Sequence, residues 1–172
     1  MSESNNGHPD QSPLAKYAKH IDHVAVAVHD LEAAITSYKQ MGFILSEQRE
    51  TLGDSSKMSS AVMTAGPLKF VLLQGDAGDS QISQFIREYG PGPQHIALAV
   101  DNCALVCAEL EREGIAFSTS VIESDGLTQR FTARCANTGV MFEFIERAEG
   151  QEGFSQGNVE GLFKELESKN LY

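Results

Sequence analysis

Two histidines and one glutamate have the residue types and the spacing that could bind a metal ion. His23 and His95 each open a run of alternating β-forming residues, and they lie 72 residues apart. Glu143 interrupts the apolar run 140–145, where strand alternation places its side chain on a face of a sheet. An ionised carboxylate on an inward face costs several kcal/mol unless a cation or another partner compensates it. Two neutral imidazoles and one carboxylate are the facial ligand set of non-haem Fe(II) sites, which leaves positions open for substrate and oxygen.

An internal repeat predicts the elements that position these residues. An offset of 72 superposes, without a gap, His23 on His95, Gly42 on Gly114 and Phe70 on Phe142. Each copy has a strand, a helix that a glycine ends, and three further strands. Agreement at three separate landmarks indicates a tandem duplication. The predicted fold class is therefore α+β, with two tandem βαβββ modules forming a curled mixed sheet around a metal site, and a C-terminal helix.

The predicted domain organisation follows this repeat. Residues 1–18 are expected to form a flexible tail, because Ser, Asn, Gly and Pro dominate there without periodicity. Residues 19–149 form the paired domain, in which modules 19–75 and 91–149 are joined by a helical connector. Residues 150–172 form a loop and a helix that cap the site. Within the second module, strands are expected at 115–120, 130–135 and 140–146.

The same offset identifies a ligand that the first module lacks. Position 71 corresponds to Glu143, and Val71 cannot bind a metal. The sequence therefore predicts three protein ligands and a site open for oxygen or a bidentate substrate. Each histidine taken alone is more simply a hydrogen-bonded structural residue at the start of a strand. The symmetric pair together with the glutamate favours the metal site.

Composition restricts the classes of partner. The formal net charge of -11 argues against binding to nucleic acid or to anionic membranes, which requires clustered Lys and Arg. No apolar run approaches the roughly 20 residues of a membrane-spanning helix. Three cysteines without a CxxC pair indicate a reducing, cytoplasmic setting, with all three as small packing residues. The N-terminal residues have neither the basic nor the apolar region of a secretion signal.

Several motifs carry a resemblance to a known family. They are Ser80-Gln81-Ile82, Gly92-Pro93-Gln94-His95-Ile96-Ala97-Leu98, Leu127-Thr128-Gln129-Arg130-Phe131-Thr132, Phe142-Glu143-Phe144-Ile145-Glu146-Arg147 and Gly153-Phe154-Ser155-Gln156-Gly157-Asn158. With them, the sequence resembles the vicinal oxygen chelate superfamily, which includes glyoxalases, bleomycin resistance proteins and dioxygenases. Within it, residues 20–170 are similar to the C-terminal, iron-binding half of 4-hydroxyphenylpyruvate dioxygenases.

The resemblance implies an activity and a set of site residues. It implies that His23, His95 and Glu143 bind Fe(II), or another divalent metal, with no catalytic residue beyond this metal centre. The residues that it places near the substrate are Gln81, Gln94, Gln129, Phe131, Phe154 and Asn158. In that family a 2-oxo acid chelates the iron and is oxidatively decarboxylated with O2. The implied partners are thus a small-molecule substrate and O2, and a homodimer is expected.

Two departures and two alternatives accompany this resemblance. Val159 and Leu73 stand where the family has a phenylalanine and an asparagine, so the pocket is more apolar and a different substrate is expected.

A metal-dependent epimerase or lyase of the methylmalonyl-CoA epimerase or glyoxalase type is similar in size and module order. Such enzymes use four protein ligands, however, and the fourth would fall at Val71. A non-catalytic small-molecule binding protein is the second alternative, although such proteins commonly lose the metal ligands.

Overall fold

The fold is built on one curled sheet, and four of the five helices in the described part of the chain pack against it. This structure is a computed structural model, and it describes residues 12–54, 56–76 and 80–169. The first module contains α1 (Pro13–Tyr17), β1 (Ala18–Ala27), α2 (Leu31–Gln40), β2 (Ile44–Leu52), β3 (Lys57–Ala65) and β4 (Leu68–Gly75). The connector is α3 (Gln81–Tyr89). The remaining elements are β5 (Gly92–Val100), α4 (Cys103–Arg112), β6 (Ile122–Ser124), β7 (Leu127–Phe131), β8 (Phe142–Arg147) and α5 (Gln156–Ser168).

The strand order is β2-β3-β4-β1-β5-β8-β7-β6. Each module therefore contributes four adjacent strands, and β1 and β5 meet in antiparallel pairing at the centre. Next to them, β4 is parallel to β1 and β8 is parallel to β5, while the outer pairs are antiparallel. The predicted α+β class with a curled mixed sheet is confirmed.

The duplication is visible in the register of the strands. Val24 pairs with Phe70 in the first module, and Ile96 pairs with Phe142 in the second, each 72 residues later. The helices repeat with the same offset, because α2 and α4 have equal length and begin after the N-caps Asp30 and Asn102. Each cap accepts a hydrogen bond from the backbone N–H three residues on, which satisfies a donor that the helix leaves free.

Different helices pack on the two faces of the sheet. On the convex face α2 packs over β3 and β4, and α4 packs over β5 and β8, with Leu31, Ile35, Met63, Leu72, Val106 and Phe144 among the buried side chains. Each such side chain contributes about 1.5–3 kcal/mol when it is fully buried. On the concave face, Ile82 and Phe85 of α3 and Phe163 of α5 pack over Ala25 and Ala27.

Helix α5 contacts both edge strands, β2 and β6. It therefore lies across the opening between the two ends of the curled sheet. Among the described residues, no helix is long and apolar enough to span a membrane.

Part of the range 1–18, for which the sequence predicts a flexible tail, forms regular structure. Residues 1–11 lie outside the described residues, but α1 and the first residue of β1 occupy Pro13–Ala18. Ser12 caps α1 by accepting a hydrogen bond from the backbone of Ala15. Tyr17 then donates its hydroxyl hydrogen to Glu109 of α4, over 2.9 Å. This contact fixes the segment to the second module, and its partner is too distant in sequence for local composition to reveal it.

The predicted strand at 115–120 is wrong. Only an isolated bridge between Phe117 and Thr132 forms there, and the edge strand β6 lies later, at Ile122–Ser124. The hydroxyl oxygen of Thr119 accepts a hydrogen bond from the backbone of Phe131, so a side chain replaces the main-chain partner of a regular ladder. The next strand, β7, ends at Phe131 instead of 135, and Cys135 is exposed rather than a packing residue.

Candidate metal centre

Three adjacent strands at the centre of the sheet bring the predicted ligands together. His23 comes from β1, His95 from β5 and Glu143 from β8. In the register, His23 lies opposite Ala97, and Ala97 lies opposite Glu143. Since alanine carries only a methyl group, the two longer side chains converge above it.

The equivalent row of residues across β5, β1 and β4 shows where a fourth ligand is missing. His95 lies opposite Ala25, and Ala25 lies opposite Val71. Val71 therefore has the same relation to His95 that Glu143 has to His23. A donor at position 71 would reach the same centre, and the valine there leaves that side of the site without a protein ligand.

The donor atoms are close enough to share one ion. The Oε2 atom of Glu143 lies 3.3 Å from Nε2 of His23 and 3.3 Å from Nε2 of His95. The two Nε2 atoms are 3.4 Å apart. Ligands bound at about 2.1 Å with angles between tetrahedral and octahedral lie roughly 3.0–3.4 Å apart. The three side chains thus have the spacing of one coordination sphere.

Hydrogen bonds orient both imidazole rings for this purpose. Nδ1 of His23 lies 2.8 Å from the Asp22 carboxylate, which can only accept, so this nitrogen carries the proton. Nδ1 of His95 makes the equivalent contact with the amide oxygen of Gln94. Both Nε2 atoms are then left with a lone pair directed at the centre, the tautomer that metal binding requires.

The buried negative charge of Glu143 requires a positive charge beside it. Glu143 is 1% exposed, and its Oε1 atom has no hydrogen-bond partner. Burial alone raises the pKa of Glu143, but the facing imidazoles outweigh burial and hold the pKa at about 2. Burial likewise opposes protonation of His23, but the carboxylates of Glu143 and Asp22 raise its pKa. The centre therefore favours a positive charge, and the donor set of two imidazoles and one carboxylate fits a divalent ion.

Sequence reasoning missed the carboxylate that holds His23. Asp22 is 8% exposed and pairs with Arg147, whose Nε lies 2.7 Å from Oδ2 and whose Nη2 lies 2.9 Å from Oδ1. Strand alternation would place Asp22 on the face opposite to His23. A register shift in β1 between Ile21 and His23 breaks the alternation, so both side chains are buried. The signal available in sequence was only the adjacency of Asp22 to His23.

We expect Asp22→Asn to weaken the binding of a divalent metal by about 10–100-fold, because a neutral amide loses the ion pair with Arg147 and holds the proton of His23 less strongly than a carboxylate does. Titration of the metal-free protein with Zn(II) measures this affinity. Asp101→Asn is the matched control, since Asp101 pairs with Lys19 on the surface. Unchanged affinity in Asp22→Asn would contradict the positioning role of this carboxylate.

The centre opens into one cavity on the concave face. The six residues predicted near the substrate, Gln81, Gln94, Gln129, Phe131, Phe154 and Asn158, all line it. Its other walls are mainly apolar, formed by Met58, Val62, Val71, Leu73, Ile82, Val159, Leu162, Phe163 and Leu166. Val159 and Leu73, the two departures from the family pattern, are thus cavity residues. The roles of the six in substrate binding stay predictions.

Contacts within the cavity hold these side chains in place. The rings of Phe154 and Phe131 stand edge-on to His23 and His95, with centroids 5.1 and 5.2 Å apart. Gln129 donates to Asn158 over 3.3 Å. Gln81 donates to the backbone carbonyl of Phe163 over 2.8 Å, so its amide nitrogen anchors α5.

Three cations fix the loop that carries Phe154. Arg147 donates to the carbonyl of Gly153, Lys69 to that of Glu152, and Arg49 to that of Phe154. Three consecutive carbonyls are therefore held from β8, β4 and β2. This arrangement joins the two modules over the metal centre, and of its three cations only Arg147 lies in one of the sequence motifs.

Known proteins resemble this chain in sequence and in fold. Residues 22–132 match the family described as the Glyoxalase/Bleomycin resistance protein/Dioxygenase superfamily. The 4-hydroxyphenylpyruvate dioxygenase of Pseudomonas aeruginosa is 26% identical, in a match covering 69% of this chain and 43% of that protein. The chain spans about half the length of the curated relatives it matches.

Two solved structures share the fold. A triple variant of 4-hydroxymandelate synthase from Streptomyces coelicolor has a TM-score of 0.78 at 23% identity, over 89% of this chain and 55% of that one. A variant of methylmalonyl-CoA epimerase from the same organism has a TM-score of 0.64 at 21% identity, over 76% of this chain and 99% of that one. At these identities, the likeness concerns the fold.

Proposed function

This chain belongs to the Glyoxalase/Bleomycin resistance protein/Dioxygenase superfamily, and from that premise we propose that it is a non-haem Fe(II) dioxygenase. Its proposed substrates are O2 and a 2-oxo acid, or a related small molecule that chelates metal. The observation that carries the proposal is the cluster of His23, His95 and Glu143 with valine at the fourth position. Relatives named as dioxygenases support it.

The ligand count favours oxygen chemistry over epimerisation. A four-ligand site of this symmetry needs a donor at position 71, where the chain has Val71. Two imidazoles and one carboxylate leave three positions of an octahedral ion open. An iron ion held by His23, His95 and Glu143 would therefore have room for both a chelating 2-oxo acid and O2.

The side chains around the centre have separate roles in this proposal. Gln94 fixes His95, and Asp22 fixes His23, so both imidazoles present Nε2 without rearrangement. Helix α5 places Leu162, Phe163 and Leu166 on the cavity wall, and this apolar cover would keep water from the reacting groups. The apolar walls favour a hydrophobic chain or ring beyond the chelating group. A ferrous ion, when bound, supplies the charge that the 2-oxo acid chelates and the electrons that activate O2.

The choice of metal and the need for oxygen test the proposal. We expect protein reconstituted with Fe(II) under anaerobic conditions to consume O2 when it is supplied with a hydrophobic 2-oxo acid. Protein loaded with Co(II) or Zn(II) should not consume O2. The epimerase alternative predicts the opposite, namely exchange of a substrate proton with deuterated water under Co(II) without oxygen. Tight ligand binding by the metal-free protein, without turnover under any metal, would instead support the binding-protein alternative and contradict the proposal.

A further inference from the structure

Arg49 places a positive charge in the same cavity, away from the metal ligands. It lies on the edge strand β2, three strands from β1, and its side chain is 18% exposed. A register shift in β2 between Leu45 and Glu47 brings Arg49 opposite Ser60, which also lines the cavity. Arg49 therefore belongs to the cavity wall, although it lies outside every motif of the sequence analysis.

The guanidinium of Arg49 uses only part of its donor capacity. Its Nη2 atom donates to the Glu47 carboxylate and, over 2.8 Å, to the carbonyl of Phe154. Its Nη1 atom is buried and has no partner. A buried N–H group of a charged side chain is costly when it is left unpaired. Because Arg49 lines a cavity, the missing acceptor can come from a bound molecule.

Between Arg49 and the metal centre the cavity wall is mainly apolar, and Ser60, opposite Arg49, contributes only a neutral hydroxyl group. Met58, Val62, Val71 and Leu73 form it, so a ligand that reaches from the metal centre toward β2 crosses apolar surface. Measured along the sheet, three strand spacings amount to roughly 14 Å at about 4.8 Å per strand. The curl of the sheet shortens this path through the cavity. A molecule that spans both places has one chelating end, an apolar middle and a polar far end.

We infer that Arg49 is a specificity-determining residue that binds an oxygen acceptor, most strongly a carboxylate, at the end of the substrate remote from its 2-oxo acid group. This inference rests on the proposed function, because it assumes that the 2-oxo acid end lies at the metal centre. A hydrogen bond from a cation to a carboxylate is stronger than one between neutral groups. The preferred substrate class is thus a 2-oxo acid with a second, distal carboxylate or comparable oxygen group.

Binding to Zn(II)-loaded protein tests the inference without turnover. The probes are a pair of matched chains, 2-oxooctanoate and 2-oxooctanedioate, which differ by the distal carboxylate, and calorimetry measures each affinity. We expect the diacid to bind about tenfold more tightly or better, the range of one charge-assisted hydrogen bond. In Arg49→Met this ratio should fall to about one.

Two further variants separate the cavity role of Arg49 from its hold on the loop. Lys69→Met removes another loop contact but no cavity residue, so the ratio should stay as in the unchanged protein. Glu47→Gln removes the competing carboxylate and keeps Arg49, so the ratio should rise even if Arg49→Met fails to fold. The inference would be overturned, and the proposed function left standing, if the unchanged protein bound the two acids equally well. The same would follow if neither Arg49→Met nor Glu47→Gln altered the ratio of the two affinities. Failure of both acids to bind would overturn the proposed function as well.

Discussion

Replacing His95 with alanine is expected to abolish tight Fe(II) binding and oxygen consumption while leaving the protein folded. The variant loses one of three ligands, and two donors remain around the centre. Loss of an outer partner of a ligand already lowers metal affinity by about 10–100-fold, so loss of the ligand itself should exceed about a hundredfold. The fold should persist because both modules still bury their convex faces against α2 and α4.

Iron content after anaerobic reconstitution and desalting measures the effect of His95→Ala, and circular dichroism checks the fold. His20→Ala is the matched control, since His20 also lies on a central strand but is exposed. The control should keep its iron. Full iron content in His95→Ala would show that the metal site is assigned to the wrong residues.

Replacing Val71 with glutamate is expected to keep the metal but to lower oxygen consumption by at least about a hundredfold. The register gives position 71 the same relation to His95 that Glu143 has to His23. A carboxylate there supplies a fourth protein ligand and takes one of the positions that substrate and O2 need. Metal content and oxygen uptake, measured on the same sample, separate the two effects.

Val71→Leu is the matched control for this gain of a ligand. Leucine adds bulk at the same place but no donor, so metal content should be unchanged and any loss of turnover should be smaller. Undiminished oxygen uptake in Val71→Glu with metal bound would contradict the role of the open position. Without metal, Val71→Glu should be less stable, because two carboxylates then face one another in a buried site.

The ligand cluster could be predicted from the sequence because the duplication repeats without a gap. A constant offset of 72 carries the register of β1 and β4 onto that of β5 and β8. Once His23 is a candidate ligand, the offset gives His95, and side-chain alternation places Glu143 on an inward face. The same offset identified Val71 as the position without a donor.

Residues beside bulges and at sheet edges could not be predicted in this way. The inward positions of Asp22 and Arg49 both result from register shifts, which break the two-residue alternation of side chains along a strand. Arg147 contacts Asp22 across 125 residues, so local sequence carries no signal of the pair. The strand expected at 115–120 is reduced to one bridge, because the side-chain oxygen of Thr119 takes the place of a backbone acceptor for Phe131.

The fate of the two oxygen atoms of O2 tests the central claim most directly. The reaction of Fe(II)-loaded protein with a 2-oxo acid under 18O2 should release one unlabelled CO2 for each O2 consumed. Both labelled atoms should then be found in the organic product, because a dioxygenase transfers both. A product without label, or turnover that proceeds equally well in the absence of oxygen, would contradict the assignment of this chain as an Fe(II) dioxygenase.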